Sequence, residues 1–293
     1  MEIKKGGRVE WIDIQKPAEK DLALLGEKFH LHPVILDELK GPSARARVEP
    51  YDGYLYFIYY FPLYDAKDEA STRTEIDFIV SKDAVATIHY EPLTGVLENF
   101  DAGKSETSLD LVYRLIGHLI TFEERQLRHV REKVETIGRE IFKDKEREIL
   151  EKITYLKRDI SEYRIVVRLQ EPILNSLAIQ GKKFWGGDAG IYLDNLIDDH
   201  LKVVNQIEDY RDAARDFENT NNQLMNLKIN SVMKTFTLLS FLTFPAMLFV
   251  TLFSMRTGGT PLIDNPDGFW IVVGIVAVGM AILGVYFRNK RWF

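Results

Sequence analysis

The chain has 293 residues, enough for one to three domains, and 28% of them are charged, so most of it is built to meet water. A net charge of −6, with no basic patch interleaved with aromatics, argues against a nucleic-acid partner. There is no cysteine, which excludes disulfides and Cys-ligated metals and fits a cytoplasmic domain.

The first residues, 1–8, hold no apolar run of the kind a signal peptide needs, so none is expected. Val9 to Ile14 alternates like a strand. Pro17 then opens a helical stretch through Leu22, Leu25 and Phe29, and a second helix follows Pro33 with Val34, Leu36 and Leu39 until Gly41 and Pro42 stop it. Tyr54 to Phe61 is aromatic and β-rich, bounded by Gly53 and Pro62. Glu75 to Val80 and Ala84 to Tyr90 read as two more strands joined by Ser81, Lys82 and Asp83. A small mixed sheet with helices packed on it is the simplest summary of residues 1–105.

From Ser108 to about Ile179 the apolar spacing becomes helical, through Leu111, Leu115, Leu119 and Phe122, then Ile149, Ile153, Leu156 and Ile160. The charged break from Lys143 to Arg147 reads as the turn of an antiparallel hairpin over 106–180, and the glycine-rich stretch from Gly181 to Gly190 as a loop. Leu193, Ile197, Leu201, Val204, Ile207, Tyr210, Ala214 and Phe217 then follow a spacing of three or four. No Gly or Pro interrupts Ile191 to Phe244, so one helix running to Met255 would be about 100 Å long. An apolar stripe on so long a helix needs partners, and oligomerisation supplies them.

Two stretches carry no charge, Phe236 to Met255 and Phe269 to Phe287. Each is about 20 residues, the length that crosses the hydrocarbon of a bilayer as a helix. Lys228 and Lys234 precede the first, and Arg288, Lys290 and Arg291 follow the second. The loop between them sets one Arg256 against Asp264 and Asp267. The positive flanks place both termini in the cytoplasm of a multi-pass protein of the cell (inner or plasma) membrane.

Catalytic signatures are missing: the chain has no nucleophile elbow, P-loop or dinucleotide fingerprint, so no catalytic residue is assigned and no enzyme is expected. His30 and His32 have the spacing of a ligand pair, but a pair beside Pro33 more often caps the following helix. Asp199 and His200 are a weak metal candidate on the long helix, against the plainer reading of a solvated face.

The junction into the first span carries Asn230, Met233, Lys234 and Thr237, then Pro245 mid-span, then Ser254, Met255 and Arg256, and the second span ends in Arg288 to Trp292. This resembles the CorA family of divalent-cation transporters, including its zinc-transporting ZntB branch. There Asn-Glu-x-Met-Lys-x-Leu-Thr leads into the pore helix, a proline lies mid-span and Gly-Met-Asn ends it. Trp11 to Ile14 with Pro17, then Phe29, Leu31 and Pro33, and later Arg47, Val48, Glu49 and Asp52, are similar to the family's N-terminal features.

The resemblance implies an α+β fold class: an N-terminal α/β cytoplasmic domain, long stalk helices forming a funnel, and two C-terminal transmembrane helices. The expected order is the domain at 1–105, the hairpin at 106–180, and a stalk helix at 191–255 that enters the membrane at about 236. An extracytoplasmic loop at 256–268, a second span at 269–287 and a basic cytoplasmic tail at 288–293 follow. It implies a homopentamer in membrane lipid whose pore is lined by Asn230, Met233, Phe236, Ser240, Phe244, Met247, Thr251 and Met255, with Ser254 and Arg256 at the outer mouth. No resident cofactor is implied; Mg²⁺ is the first expected cargo, other divalent cations next.

Several positions depart from the family pattern. Ser254-Met255-Arg256 replaces Gly-Met-Asn, and a guanidinium only donates hydrogen bonds where an amide oxygen accepts them from metal-bound water. Met247 replaces a polar residue, Asn219 replaces the acidic ring of the funnel, and the regulatory aspartate falls near Leu196, while Asp199 and His200 are kept. Two alternatives therefore stand beside a divalent-cation channel: the same fold passing anions or monovalent ions because of Arg256, and a non-conducting scaffold or sensor.

Overall fold

A computed structural model of the chain describes residues 2–6, 8–43, 45–65, 70–93, 95–97, 100–101, 103, 105–255, 262 and 265–289. The chain divides into two units, Met1–Glu218 and Asn219–Phe293.

The first unit is built on a six-stranded sheet. Its strands are β1 (Glu2–Gly6), β2 (Val9–Gln15), β3 (Val48–Pro50), β4 (Leu55–Asp65), β5 (Ala70–Val80) and β6 (Ala84–His89), in the spatial order β1-β2-β6-β5-β4-β3. Only β2 and β6 pair in parallel; the other neighbours are antiparallel. The alternation of apolar residues decides the layers, because successive side chains leave opposite faces of a strand. One face carries Ile12, Ile14, Tyr56, Ile58, Tyr60, Ile79 and Ile88 under α1 (Glu19–Phe29) and α2 (Pro33–Glu38), which add Leu22, Leu25, Phe29 and Ile35. The other face carries Phe57, Tyr59 and Phe61. There Phe61 meets Phe122 edge-on at 6.3 Å between ring centroids.

Local chemistry explains the short helices. The Asp21 carboxylate accepts from the Ala18 N–H at 3.0 Å, so α1 starts on a side-chain cap. His32 Nδ1 accepts from the Val34 N–H at 3.3 Å, and Pro33 occupies the first turn of α2, where no N–H is needed. His32 is thus a helix cap, the plainer of its two readings.

The next elements are α3 (Ser108–Gln126), α4 (Arg128–Glu140), α5 (Glu146–Val167) and α6 (Gln170–Trp185). Where a single hairpin is expected over 106–180, the chain makes these four segments. The breaks fall at Leu127 and at Arg168–Leu169, whose backbones stay in the right-handed helical region. No Gly or Pro is required there, so no sequence signal marks them. The charged turn between α4 and α5 does form, with Asp144 in the left-handed region at φ 55°.

Two sequence readings need correction. Pro62 does not end its strand: β4 runs on to Asp65, and Pro62 pairs with Arg73 of β5. Since β3 pairs only with Leu55 to Phe57, β4 has no β-partner on its other side at Pro62, and the missing N–H costs no ladder bond. Gly181 likewise does not open a loop, because α6 continues to Trp185. A Cβ on Gly181 would stand 2.5 Å from Leu193 Cδ1, so this glycine admits a close helix–helix approach rather than a turn. The turn itself needs only Gly186, at φ 110°.

α7 (Ala189–Ser254) is one helix of 66 residues shared by both units. Within the first unit it is tied to α3 through Tyr113 and Asn195 at 2.7 Å, and to α5 through Arg164–Glu208 at 2.7 Å and Lys157–Glu218 at 2.9 Å. α8 (Gly268–Asn289) belongs to the second unit. The last part of α7 and the whole of α8 are long and apolar enough to cross a membrane.

Candidate functional site

In the second unit, α7 has two distinct faces. One is turned to α8: Leu238 is buried, Phe241 lies 6.2 Å from Phe287, and Ser231, Thr235, Leu238 and Leu242 line a cavity with Gly284 and Phe287. The other carries the expected pore series. With about 3.6 residues per turn, Asn230, Met233, Phe236, Ser240, Phe244, Met247, Thr251 and Met255 fall on the side away from α8. In the single chain Phe244 and Met247 are each 68% exposed and Phe236 63%. Ser240 is half-buried, while Asn230 and Thr251 are exposed.

The threonine hydroxyls on this part of the helix are oriented by its own backbone. Thr251 Oγ1 donates to the Met247 carbonyl at 2.7 Å, and Thr237 Oγ1 to the Met233 carbonyl at 2.8 Å. With the proton committed to the helix, the lone pairs of Thr251 Oγ1 are left to accept from an outside donor such as metal-bound water. Met233, Phe236, Phe244 and Met247 offer no polar atom of comparable strength, so the face alternates between apolar bands and single oxygens.

Of the two expected outer-mouth residues, Ser254 is described. Ser254 lines an apolar cavity of about 730 Å³ between the ends of α7 and α8, with Phe253, Leu262, Pro266 and Phe269. Arg256 lies outside the described residues, as do Asp264 and the tail beyond Asn289.

Farther up α7, in the first unit, the weak metal pair is not assembled. The Asp199 carboxylate pairs with Lys202 at 2.7 Å on the same helix. His200 is fully buried, with no hydrogen-bond partner at either ring nitrogen, and burial pulls its pKa down to about 4, so the ring is neutral. Among the described residues no group of three or more His, Cys, Asp or Glu is placed to hold a metal ion. Leu196, near which the resemblance sets a regulatory aspartate, is buried, its Cδ2 3.7 Å from where a Cβ on Gly117 would stand. Asn219 is exposed.

Sequence reasoning passes over two acidic groups in the first unit. Glu123 is fully buried, and burial pushes its carboxyl up to about 8. Its signal is present, since it continues the apolar stripe of Ile116, Leu119 and Ile120. Glu75 and Asp77 alternate with Ile76 and Phe78, a pattern that reads as a solvated strand face, yet both are buried, with the Ser43 N–H donating to Glu75 and the Tyr90 hydroxyl to Asp77.

Comparison with known proteins agrees with this architecture along nearly the whole chain. The family model described as "CorA-like Mg2+ transporter protein" matches residues 6–291. A cobalt/magnesium transport protein CorA from Methanocaldococcus jannaschii is 23% identical, over 97% of this chain and 92% of that one. The protein of the same description from Thermotoga maritima is 21% identical, over 96% and 83%. The fold is similar to the complete structure of the CorA magnesium transporter from Methanocaldococcus jannaschii, with a TM-score of 0.83 at 21% identity, covering 98% of this chain and 92% of that one. The chain belongs to the CorA-like Mg2+ transporter family and is a membrane transporter, not an enzyme.

Proposed function

We propose that five copies of this chain form a channel in the cell membrane that passes hydrated divalent cations, Mg²⁺ first and Co²⁺, Ni²⁺ or Zn²⁺ next. The observation that carries this reading is the exposed side of α7, away from α8, where single oxygens at Asn230, Ser240 and Thr251 interrupt apolar residues. Two spans of one chain cannot enclose a water-filled path, so this face needs copies of itself around an axis. Asn230, Ser240 and Thr251 then form oxygen rings for the ion's water shell, and Met233, Phe236 and Phe244 form rings that dewet and close the path. Both termini lie in the cytoplasm, by the positive flanks of the spans. The driving force is the electrochemical gradient: at about 2.3 kcal/mol per charge per 100 mV, a divalent cation is drawn strongly into a negative cell.

Reconstitution into proteoliposomes loaded with a Mg²⁺ indicator tests this. Uptake that rises with an inside-negative potential is expected; no flux above empty vesicles sinks the reading.

Arg256 motivates a second reading in which the mouth repels cations and the pore passes anions or monovalent ions. Reversal potentials in asymmetric salt separate the two. Under this second reading Arg256→Asn shifts selectivity toward cations, and an unchanged reversal potential counts against it.

A further inference from the structure

The groove between α7 and α8 at the start of the first span changes character along its length. Its volume is about 510 Å³, within the range of roughly 300–1,000 Å³ usual for ligand sites. One end is polar, with Ser231, Lys234 and Thr235. The other is apolar, with Leu238 and Leu242 of α7 facing Gly284 and Phe287 of α8. The α7 residues recur at three or four, so they share one face of that helix. Lys234 stands two residues before the charge-free run from Phe236 to Met255. The polar end therefore falls at the edge of the hydrocarbon, and the apolar end within it.

Gly284 keeps the apolar end open. Glycine weakens a helix interior, and here no close approach requires it: a Cβ would meet no atom within 4 Å. The α7–α8 contact thus leaves room for a side chain, or for something else of apolar character, beside Leu238 and Leu242.

The charge at the polar end has one sign. The sequence has no Asp or Glu between Glu218 and Asp264, and none after Asp267. Asp264 and Asp267 belong to the connection at the opposite end of the spans. The Lys234 end carries Lys228 and Lys234 before the first span and Arg288, Lys290 and Arg291 at the end of the second. Arg288 follows Gly284 by one turn on the same side of α8 and is exposed. A second copy of these spans would bring the same cations to the groove and no acidic side chain to meet them. An anionic lipid brings a phosphate to the cations and hydrocarbon to the leucines, and basic pockets between membrane helices hold such headgroups.

We propose that this groove binds one anionic phospholipid per chain, with the phosphate at Lys234 and one acyl chain along Leu238, Leu242 and Gly284. The proposal rests on α7 and α8 crossing the membrane and not on what the pore passes.

Native mass spectrometry of the full-length protein in detergent tests it, with phosphatidylglycerol and phosphatidylcholine of identical chains added in equal amounts. Wild type is expected to keep one phosphatidylglycerol per chain in preference to phosphatidylcholine. Lys234→Gln is expected to lower that preference about fivefold, the worth of one basic side chain at an anionic surface. Gly284→Phe, which fills the apolar end, is expected to weaken retention of both lipids. Equal retention of the two lipids by wild type, or an unchanged preference in Lys234→Gln, overturns the proposal. So does displacement of the lipid by glycerophosphoglycerol, the same headgroup without chains, because the groove would then be an anion site only. Wild type that keeps no lipid, with an oligomer that Gly284→Phe breaks, also overturns it and assigns the groove to a second copy. If Gly284→Phe does not fold, Lys234→Gln, which alters no α7–α8 packing residue of the apolar end, decides alone. Retained phosphatidylglycerol without Mg²⁺ flux in proteoliposomes supports this site while sinking the channel reading; flux without lipid preference does the reverse.

Discussion

Gln170 Nε2 donates to Glu123 Oε1 at 2.5 Å, joining two side chains that are both fully buried. The same nitrogen donates to the Tyr60 carbonyl at 2.8 Å, and Tyr163 Oη donates to the Glu123 carbonyl at 2.6 Å. This small network fastens α3, α5 and α6 to the sheet. Its one ionisable carboxyl is raised to about 8, by burial first, so at neutral pH it is protonated in the folded chain and ionised in the unfolded one.

A pH dependence follows, with a definite sign. Between the ordinary carboxylate range and about pH 8 the folded state binds one proton more than the unfolded state, so this residue's contribution falls as pH rises through that window and is level above it. Glu123→Gln keeps a neutral side chain of the same shape. Its melting temperature is expected to change less between pH 5 and 8 than that of wild type, by thermal scans in a series of buffers; parallel curves would refute this.

The Gly181–Leu193 contact predicts intolerance of a methyl group. With Trp185 Cζ3 at 3.0 Å as well, Gly181→Ala overpacks the α6–α7 crossing and is expected to cost about 1–3 kcal/mol. Gly187, with no atom within 4 Å of an added Cβ, is the control: Gly187→Ala is expected to be near neutral in the same denaturant titration.

Lys133 and Asp159 form an ion pair at 2.6 Å in which the carboxylate is 1% exposed. Lys133→Met leaves a buried charge without its main partner and is expected to destabilise the chain by about 1–3 kcal/mol. Adding Asp159→Asn removes the stranded charge, so the double variant is expected to recover part of the loss. A double-mutant cycle by chemical denaturation measures the coupling.

For transport, Thr251 is the most specific residue on the exposed face, because its proton is already given to the Met247 carbonyl. Thr251→Val keeps the shape and removes the acceptor. Mg²⁺ uptake is expected to fall about two- to tenfold, the worth of one hydrogen bond to the ion's water shell. Thr251→Ser keeps the acceptor and is expected to stay near wild type; equal loss in both would show that the hydroxyl has no part in conduction.

Much of this molecule is legible without coordinates because local rules govern it. Period-2 alternation marks β2, two runs joined by Ser81, Lys82 and Asp83 mark β5 and β6, and a Gly- and Pro-free run marks α7. Charge-free runs of membrane length mark the end of α7 and α8. Short motifs carry the family. By contrast, the break at Leu127, the strand through Pro62 and the helical Gly181 depend on which neighbour stands opposite, and no local pattern encodes that.

The division between sequence and structure has one physical cause. Water-avoiding periodicity and backbone chemistry act within a few residues, so the sequence by itself determined most strands of the sheet, the long helix and the two stretches long and apolar enough to span a membrane. Desolvation and close approach act between segments far apart in the chain. Tertiary structure alone therefore decided that Glu123 meets Gln170, that Glu75 and Asp77 are buried, and that the proposed pore residues lie on the side of α7 away from α8.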